Sequence, residues 1–327
     1  MKQKLRSSGH KPNTRILASI VGLLVIWSSV TSHAANRVIH RERSLYQTIL
    51  VTKETGRLCL QFSVRREQRN QSCLNPRKPK EMLFPYARMM MASLLLNPNP
   101  KRILIVGLGG GTLPTALTEL YPQAALTVVE IDPAVVAVAK EYFNYTPTAN
   151  TELVVQDARV FTKRKALQLS KADTATSGYD LVMLDAFNGD YIPEHLLTRE
   201  YLQETRSIMA PDGVLAANTF AISQLYDHES TTYTDVFGKF LNYRLPQTGN
   251  RVILALNDES APLPDRELLE QRAAVLEPTL VPYRVQLKSK LKRILGRPDW
   301  DPDARILTDQ YAPGNILGAR KRAPGSR

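Results

Sequence analysis

The segment Lys101-Arg-Ile-Leu-Ile-Val-Gly-Leu-Gly-Gly-Gly-Thr112 constrains the fold more than any other part of the chain. Ile103 to Val106 and Leu108 are apolar, and the run opens directly into glycines. A continuous apolar run of this length reads as a strand buried on both faces, the habit of a parallel sheet. Gly107, Gly109, Gly110 and Gly111 permit a sharp turn and let a ligand approach the backbone with no Cβ in the way. A helix is expected to begin near Thr112.

The pattern then alternates. Strands are expected at 102–106, Leu126–Glu130, Thr151–Val155, Tyr179–Asp185 and Val214–Thr219. Helices are expected at 112–120, from Pro133 to Tyr142, from Asp157 to about Leu169, from a Thr198 cap to about Met209, and near 228–239. Asn242–Leu245 and Asn250–Leu256 read as a closing antiparallel pair. Strands alternating with helices predict an α/β fold with a mostly parallel sheet covered on both faces.

Residues 36–100 read as a small N-terminal β unit. Ser44–Thr52 has strand composition, and Pro85–Leu96 is a helix with a broad apolar face. The cysteines, Cys59 and Cys73, fall on two strands turned at Arg65-Arg-Glu67, so the hairpin sets them opposite each other. They are a disulfide or two half-buried thiols. Residues 101–257 are expected to form the α/β unit, and 258–327 a C-terminal extension with a basic segment at Val285–Leu295 and a basic tail from Arg320.

The first 35 residues carry an address. Lys2, Lys4, Arg6, Lys11 and Arg15 precede the apolar run Ile16–Val30, followed by small residues at Ser32 to Ala35. This is the order of a signal peptide. The run is shorter than the roughly 20 residues of a spanning helix. Extended to Ala35, it could instead serve as an uncleaved anchor. Either reading places the globular part in the cell envelope, with the cytoplasm as the alternative. The formal charge of +12 invites nucleic acid, but no basic stretch is interleaved with aromatics, so nucleic acid is not expected.

In an open α/β sheet, ligands bind beyond the carboxyl ends of the strands. Polar groups gather there: the glycines after the first strand, Glu130 after the second, Asp157-Ala158 after the third and Asp185 after the fourth. A carboxylate about 20 residues past the glycines can hold ribose hydroxyls.

The order Gly-loop, Glu130, Asp157, Asp185 resembles the Rossmann-like class I S-adenosylmethionine-type fold, and specifically the spermidine synthase family of aminopropyltransferases. Tyr46-Gln47 resembles that family's N-terminal strand, Val129-Glu-Ile-Asp132 its second-strand motif and Gln156-Asp157-Ala158 its adenine-contacting motif. Ile306-Leu-Thr-Asp-Gln-Tyr-Ala-Pro313 resembles a subgroup associated with membrane segments. The resemblance implies decarboxylated S-adenosylmethionine as co-substrate and an amine acceptor, with no permanent cofactor and no metal. It implies that Gln47, Gly107, Gly109, Glu130, Asp157, Ala158 and Pro193 hold the nucleoside, and that Asp185 accepts a proton. Tyr86, Asn188, Asp190 and Tyr191 would line the amine site. The family also implies a homo-oligomer formed through the N-terminal unit.

Departures fall on the amine side. Gly110 stands where the family has an Asp, Ala87-Arg88 where it has His-Glu, and Asn188 where it has a second Asp. Arg88, if it points inward, would repel a cationic acceptor. Two rival readings keep the same sheet: methyl transfer from S-adenosylmethionine, and non-catalytic binding of a nucleoside or polyamine. His195 reads as a loop histidine, since the chemistry needs no second base.

Overall fold

The computed structural model describes residues 37–64, 67–171, 178–187 and 191–317. The leader-like segment 16–35, the pair Asn188 and Asp190, and the tail from Arg320 lie outside the described residues.

The N-terminal sheet is an antiparallel meander of β1 (Arg37–Arg43), β2 (Thr48–Glu54), β3 (Arg57–Val64) and β4 (Glu67–Leu74). β1 is a strand the sequence reading did not include, because its charged residues show no apolar alternation. Ser44 to Gln47, read as strand, is instead a turn. Ser44 Oγ accepts the N–H groups of Tyr46 and Gln47 at 3.1 Å and donates to Asp132 Oδ2 at 2.5 Å. A serine that can satisfy the backbone two and three residues on outcompetes strand pairing.

Cys59 and Cys73 are register partners on β3 and β4 and form a disulfide. The bridge closes a loop of sequence separation 14. Removing it as Cys59→Ala/Cys73→Ala should cost about 2–3 kcal/mol. Urea unfolding with and without reductant checks this: the parent should lose that stability on reduction and the variant should not respond.

α1 (Pro85–Met90) passes into a 3-10 turn, Met91–Leu95, so the single helix expected here changes pitch midway. The second sheet has eight strands: β5 (Arg102–Val106), β6 (Ala125–Glu130), β7 (Thr151–Val155), β8 (Tyr179–Leu184), β9 (Met209–Phe220), β10 (Phe240–Arg244), β11 (Asn250–Leu256) and β12 (Ile294–Leu295). Their order is β12-β10-β11-β9-β8-β5-β6-β7. β5 through β9 pair in parallel, and β11 reverses against both β9 and β10. The fold is therefore the Rossmann-like α/β arrangement the alternation implied, preceded by an antiparallel unit. α2 (Thr112–Leu120), α3 (Pro133–Tyr142), α4 (Ala158–Ser170), α5 (Arg199–Ser207) and α6 (Tyr226–Phe237) connect the strands.

Each face of this sheet has its own core. Ile103, Ile105, Leu126 and Val128 point to one side with α1 and α2, while Leu104, Val106, Val182 and Leu184 point to the other with α5 and α6. Period-2 alternation within wholly apolar strands is what a sheet covered on both faces requires. Past 257, α7 (Arg266–Leu280) and α8 (Leu287–Lys290) pack into the first core through Leu269, Leu280 and Leu287, followed by Leu291. Ile49, Val51 and Leu60 of the N-terminal sheet pack on Val135 and Val138 of α3. Among the described residues no helix is long and apolar enough to cross a membrane.

Candidate active site

A cavity of about 260 Å³ opens at the carboxyl ends of β5 to β8. Gln47, Tyr86, Gly107, Gly109, Glu130, Asp157, Ala158, Asp185 and Pro193 all line it. Gly107, Glu130, Asp157 and Asp185 meet because parallel strands deliver their ends to one edge, while Gln47, Tyr86 and Pro193 reach it from the N-terminal unit and the loop after β8.

The floor is the turn after β5. Gly107 donates its N–H to Val129 O and Asp185 donates its N–H to Val106 O, both at 2.8 Å. Gly107 sits at φ 98, and a Cβ there would meet the Asp185 carbonyl oxygen at 2.3 Å. Gly109 faces the cavity with only Ser72 Cβ at 3.9 Å, whereas a Cβ on Gly110 would strike Ser72 Oγ at 2.6 Å. Gly110 lines a neighbouring concavity with Phe143 and Tyr283, and Gly109 is the one of the pair that lines this cavity.

Glu130 stands half-buried at the end of β6. Its Oε2 accepts Leu108 N–H at 2.9 Å and its Oε1 accepts Asp132 N–H at 3.1 Å. Burial pushes its carboxyl upward, and those two bonds offset part of the effect. Asp132 caps α3 by accepting Ala134 N–H at 3.0 Å and holds Ser44, which seats Gln47 at the cavity. The Gln47 side-chain oxygen is buried with no partner among the described residues, an acceptor left for a ligand's donor.

Asp157 caps α4 through Val160 N–H at 2.9 Å and pairs with His195 Nε2, also at 2.9 Å. His195, read from sequence as a plain loop histidine, stands in the cavity wall. The loop carrying Pro193 and His195 is tied down by the C-terminal Thr-Asp-Gln-Tyr segment. Arg199 N–H donates to Leu307 O at 2.8 Å, and Arg159 spans Asp309, Glu204 and the His195 carbonyl. Tyr191 is not in the cavity wall. Its neighbour Ile192 turns onto the apolar cluster of Leu197, Leu225 and Leu307, and Pro193 is where this loop reaches the cavity.

Asp185 is the strongly perturbed carboxyl of the site. Burial pushes its carboxyl up to about 7, against hydrogen bonds from Asn218 and Tyr86 that lower it. Asn218 Nδ2 donates to Asp185 Oδ1 at 2.8 Å, and Asn250 Nδ2 donates to Asn218 Oδ1 at 3.0 Å. That chain fixes which way the Asn218 amide faces. Burial and the neighbouring Asp185 hold the Tyr86 phenol well above its usual value, so it stays a donor. Its one proton is shared between Asp185 and the Gln71 carbonyl, 3.2 Å away. An ionised carboxylate is the stronger acceptor of the two.

Three further residues of the site were not read from the sequence. Gln71 and Phe62 line the cavity, and Asn218 orients the central carboxylate. Gln71 is the extra residue of a bulge in β4, where Leu60 pairs with Ser72 and Gln61 with Asn70. Bulges re-aim a strand beside active sites and leave no one-residue signature in sequence. Arg88, two residues beyond Tyr86, faces away from the cavity and donates to the Met82 and Leu83 carbonyls. It does not oppose a cationic acceptor.

Residues 83–243 match the spermine/spermidine synthase domain. A polyamine aminopropyltransferase of Vibrio vulnificus is 45% identical over 300 residues, covering 91% of this chain and 97% of the relative. The chain belongs to the polyamine aminopropyltransferase family. Members of this family are transferases, and the Gly107 loop, Glu130, Asp157 and Asp185 all fall within the matched domain. A probable spermidine synthase from Corynebacterium glutamicum shares the fold, with a TM-score of 0.59 over 83% of this chain and 99% of the other at 18% identity. An eEF1A lysine and N-terminal methyltransferase of Bos taurus is 29% identical over 208 residues, 62% of this aminopropyltransferase-family chain but 29% of the methyltransferase.

Proposed function

We propose that this site moves the aminopropyl group of decarboxylated S-adenosylmethionine to an amine such as putrescine and releases methylthioadenosine. Charge carries the reading: Glu130, Asp157 and Asp185 line one cavity, and among the described residues no Lys or Arg does. A sulfonium donor without its α-carboxylate and an alkylammonium acceptor are both cations. A donor that kept its carboxylate would find no cation there to pair with.

Glu130 holds the ribose, with the Gln47 oxygen as a second acceptor. Asp157 and Ala158 face the adenine, and Pro193 covers the thioether. Tyr86 lines the acceptor side; Asn188 and Asp190, one to three residues before Tyr191, are proposed to complete it. The acceptor ammonium gives a proton to Asp185, freeing the nitrogen lone pair. That nitrogen attacks the methylene beside the sulfonium; the carbon–sulfur bond breaks and its electrons neutralise the sulfur. A carboxylate raised to about 7 is a better proton acceptor than an ordinary one and is ionised above neutral pH.

Methyl transfer is the second reading, favoured by the partial match to the bovine methyltransferase. Calorimetry separates the two. Tighter binding of the decarboxylated nucleoside supports aminopropyl transfer, and tighter binding of S-adenosylmethionine itself would replace it with methylation.

Asn218 sets the pH range of turnover. Its hydrogen bond lowers the Asp185 carboxyl, so Asn218→Leu should raise that group further and move the acid limb of the rate profile upward by about one pH unit. An unmoved limb would remove Asp185 ionisation from the rate profile.

The catalytic part works in the cell envelope, carried there by the 16–35 segment as signal peptide or membrane anchor. The Cys59–Cys73 disulfide supports an oxidising compartment. The working form is a homo-oligomer built through the N-terminal sheet, where the edge strand β1 exposes Val38 and Ile39 beside the exposed Leu45.

A further inference from the structure

Two adjoining concavities lie on the carboxyl edge of the large sheet, apart from the active site. β10 runs the same way as β9, since each is antiparallel to β11, so Arg244 at its end faces the edge that carries Asp185. The first concavity, about 390 Å³, is lined by Arg88, Arg284 and Lys290 together with Gln247 and Gln286, and by no carboxylate. The second, about 330 Å³, is lined by Arg244, Lys292, Arg293 and Arg297, with Asp299 as its one carboxylate. Leu245 and Thr248 border both, so they form one cleft.

Asp299 is already engaged. It pairs with Arg244 and accepts from the Tyr226 hydroxyl at 2.6 Å and from Asn242 at 3.1 Å. Among the described residues Arg284, Lys290, Lys292, Arg293 and Arg297 have no carboxylate within ion-pair distance. This excess of positive charge is built into the fold. Val285, Leu287, Leu291 and Ile294 are buried in the core, and β12 pairs with Asn242 and Tyr243 of β10, which fixes the intervening basic residues outward. The apolar side of this segment is therefore spent inside the protein and does not insert into a membrane.

One detail shows that the cations are crowded. The half-buried Arg88 guanidinium is lowered from its usual range by burial and by Arg284 beside it. A bound anion would relieve the repulsion, and guanidinium forks match the oxygens of a phosphate.

We infer that this cleft binds a phosphate-bearing anion with at least two phosphate groups, one for each basin. A single phosphate would leave one basin unneutralised. The shared chemistry is a soluble oligophosphate or the headgroups of an anionic lipid layer, and two arms of one experiment separate them. The full-length chain is titrated with tripolyphosphate by calorimetry and sedimented with phosphatidylglycerol or phosphatidylcholine vesicles. The same is done for Arg284→Gln/Lys290→Gln/Arg297→Gln and for a charge-matched control, Lys53→Gln/Lys140→Gln/Lys239→Gln, whose residues lie outside the cleft.

Each cleft charge removed should weaken binding about tenfold, with the control nearly unchanged. Loss confined to tripolyphosphate identifies a soluble ligand; loss confined to phosphatidylglycerol vesicles identifies a lipid surface. No binding in either arm, or equal loss in the control, overturns the inference. A preference of the same residues for an oligonucleotide over both probes would replace it with a nucleic-acid surface. None of the substituted residues lines the active site, so retained turnover reports correct folding. Should the triple variant lose turnover, Arg297→Gln alone carries the test, with about a tenfold loss expected.

Discussion

Asp185→Asn should lower turnover by about a thousandfold while nucleoside affinity stays within a few-fold. The substitution keeps shape and can still accept from Asn218, but it cannot take a proton from an ammonium. Affinity for the donor holds on the proposal that Glu130, Asp157 and the glycine loop, which line the same cavity, hold the nucleoside. Stability separates loss of chemistry from loss of fold. A carboxyl raised from 3.8 to about 7 in the folded state binds its proton more tightly folded than unfolded. Its contribution is therefore favourable below the ordinary carboxylate range and is lost as pH rises toward 7. Asn removes that cost, so the variant should unfold at an equal or higher temperature than the parent at pH 8. A variant that unfolds earlier at pH 8 would contradict the burial of an ionised Asp185. Single-turnover release of methylthioadenosine measures the rate.

Gly107→Ala should abolish activity and cost about 3–5 kcal/mol of stability. The added Cβ would sit 2.3 Å from the Asp185 carbonyl oxygen and 2.8 Å from its carbonyl carbon, both backbone atoms that cannot rotate aside. The strand ends of β5 and β8 must separate, and they carry the floor of the site and its base. Gly109→Ala is the contrast. It meets only Ser72 Cβ at 3.9 Å, so its cost is the left-handed backbone alone, about 1–2 kcal/mol. Urea unfolding of the two variants measures the difference; equal losses would contradict the close crossing at Gly107.

The sheet was legible because its strands are wholly apolar and its punctuation is explicit. The glycines after Val106, Pro133 and the Thr198 cap mark element ends in the residues themselves, and α2 and α3 fall where the sequence places them. The nucleoside side of the site was legible for the same reason, since a parallel sheet sends every strand end to one edge. What was hidden depends on contacts distant in sequence. β1 is held by pairing with β2 rather than by its own pattern, and Gln71 reaches the cavity through a bulge. Asn218 orients Asp185 only because β11 brings Asn250 beside it. The facing of one glycine against the next was also hidden. Gly109 and Gly110 are adjacent and chemically identical, and only Ser72 from the other sheet shows which of them a ligand meets.

The most direct test of the central claim is methylthioadenosine release from decarboxylated S-adenosylmethionine in the presence of a panel of mono-, di- and triamines. Amine-dependent release that matches the aminopropylated product one for one, and that disappears in Asp185→Asn, is the predicted result. Donor binding without release for any amine would contradict it.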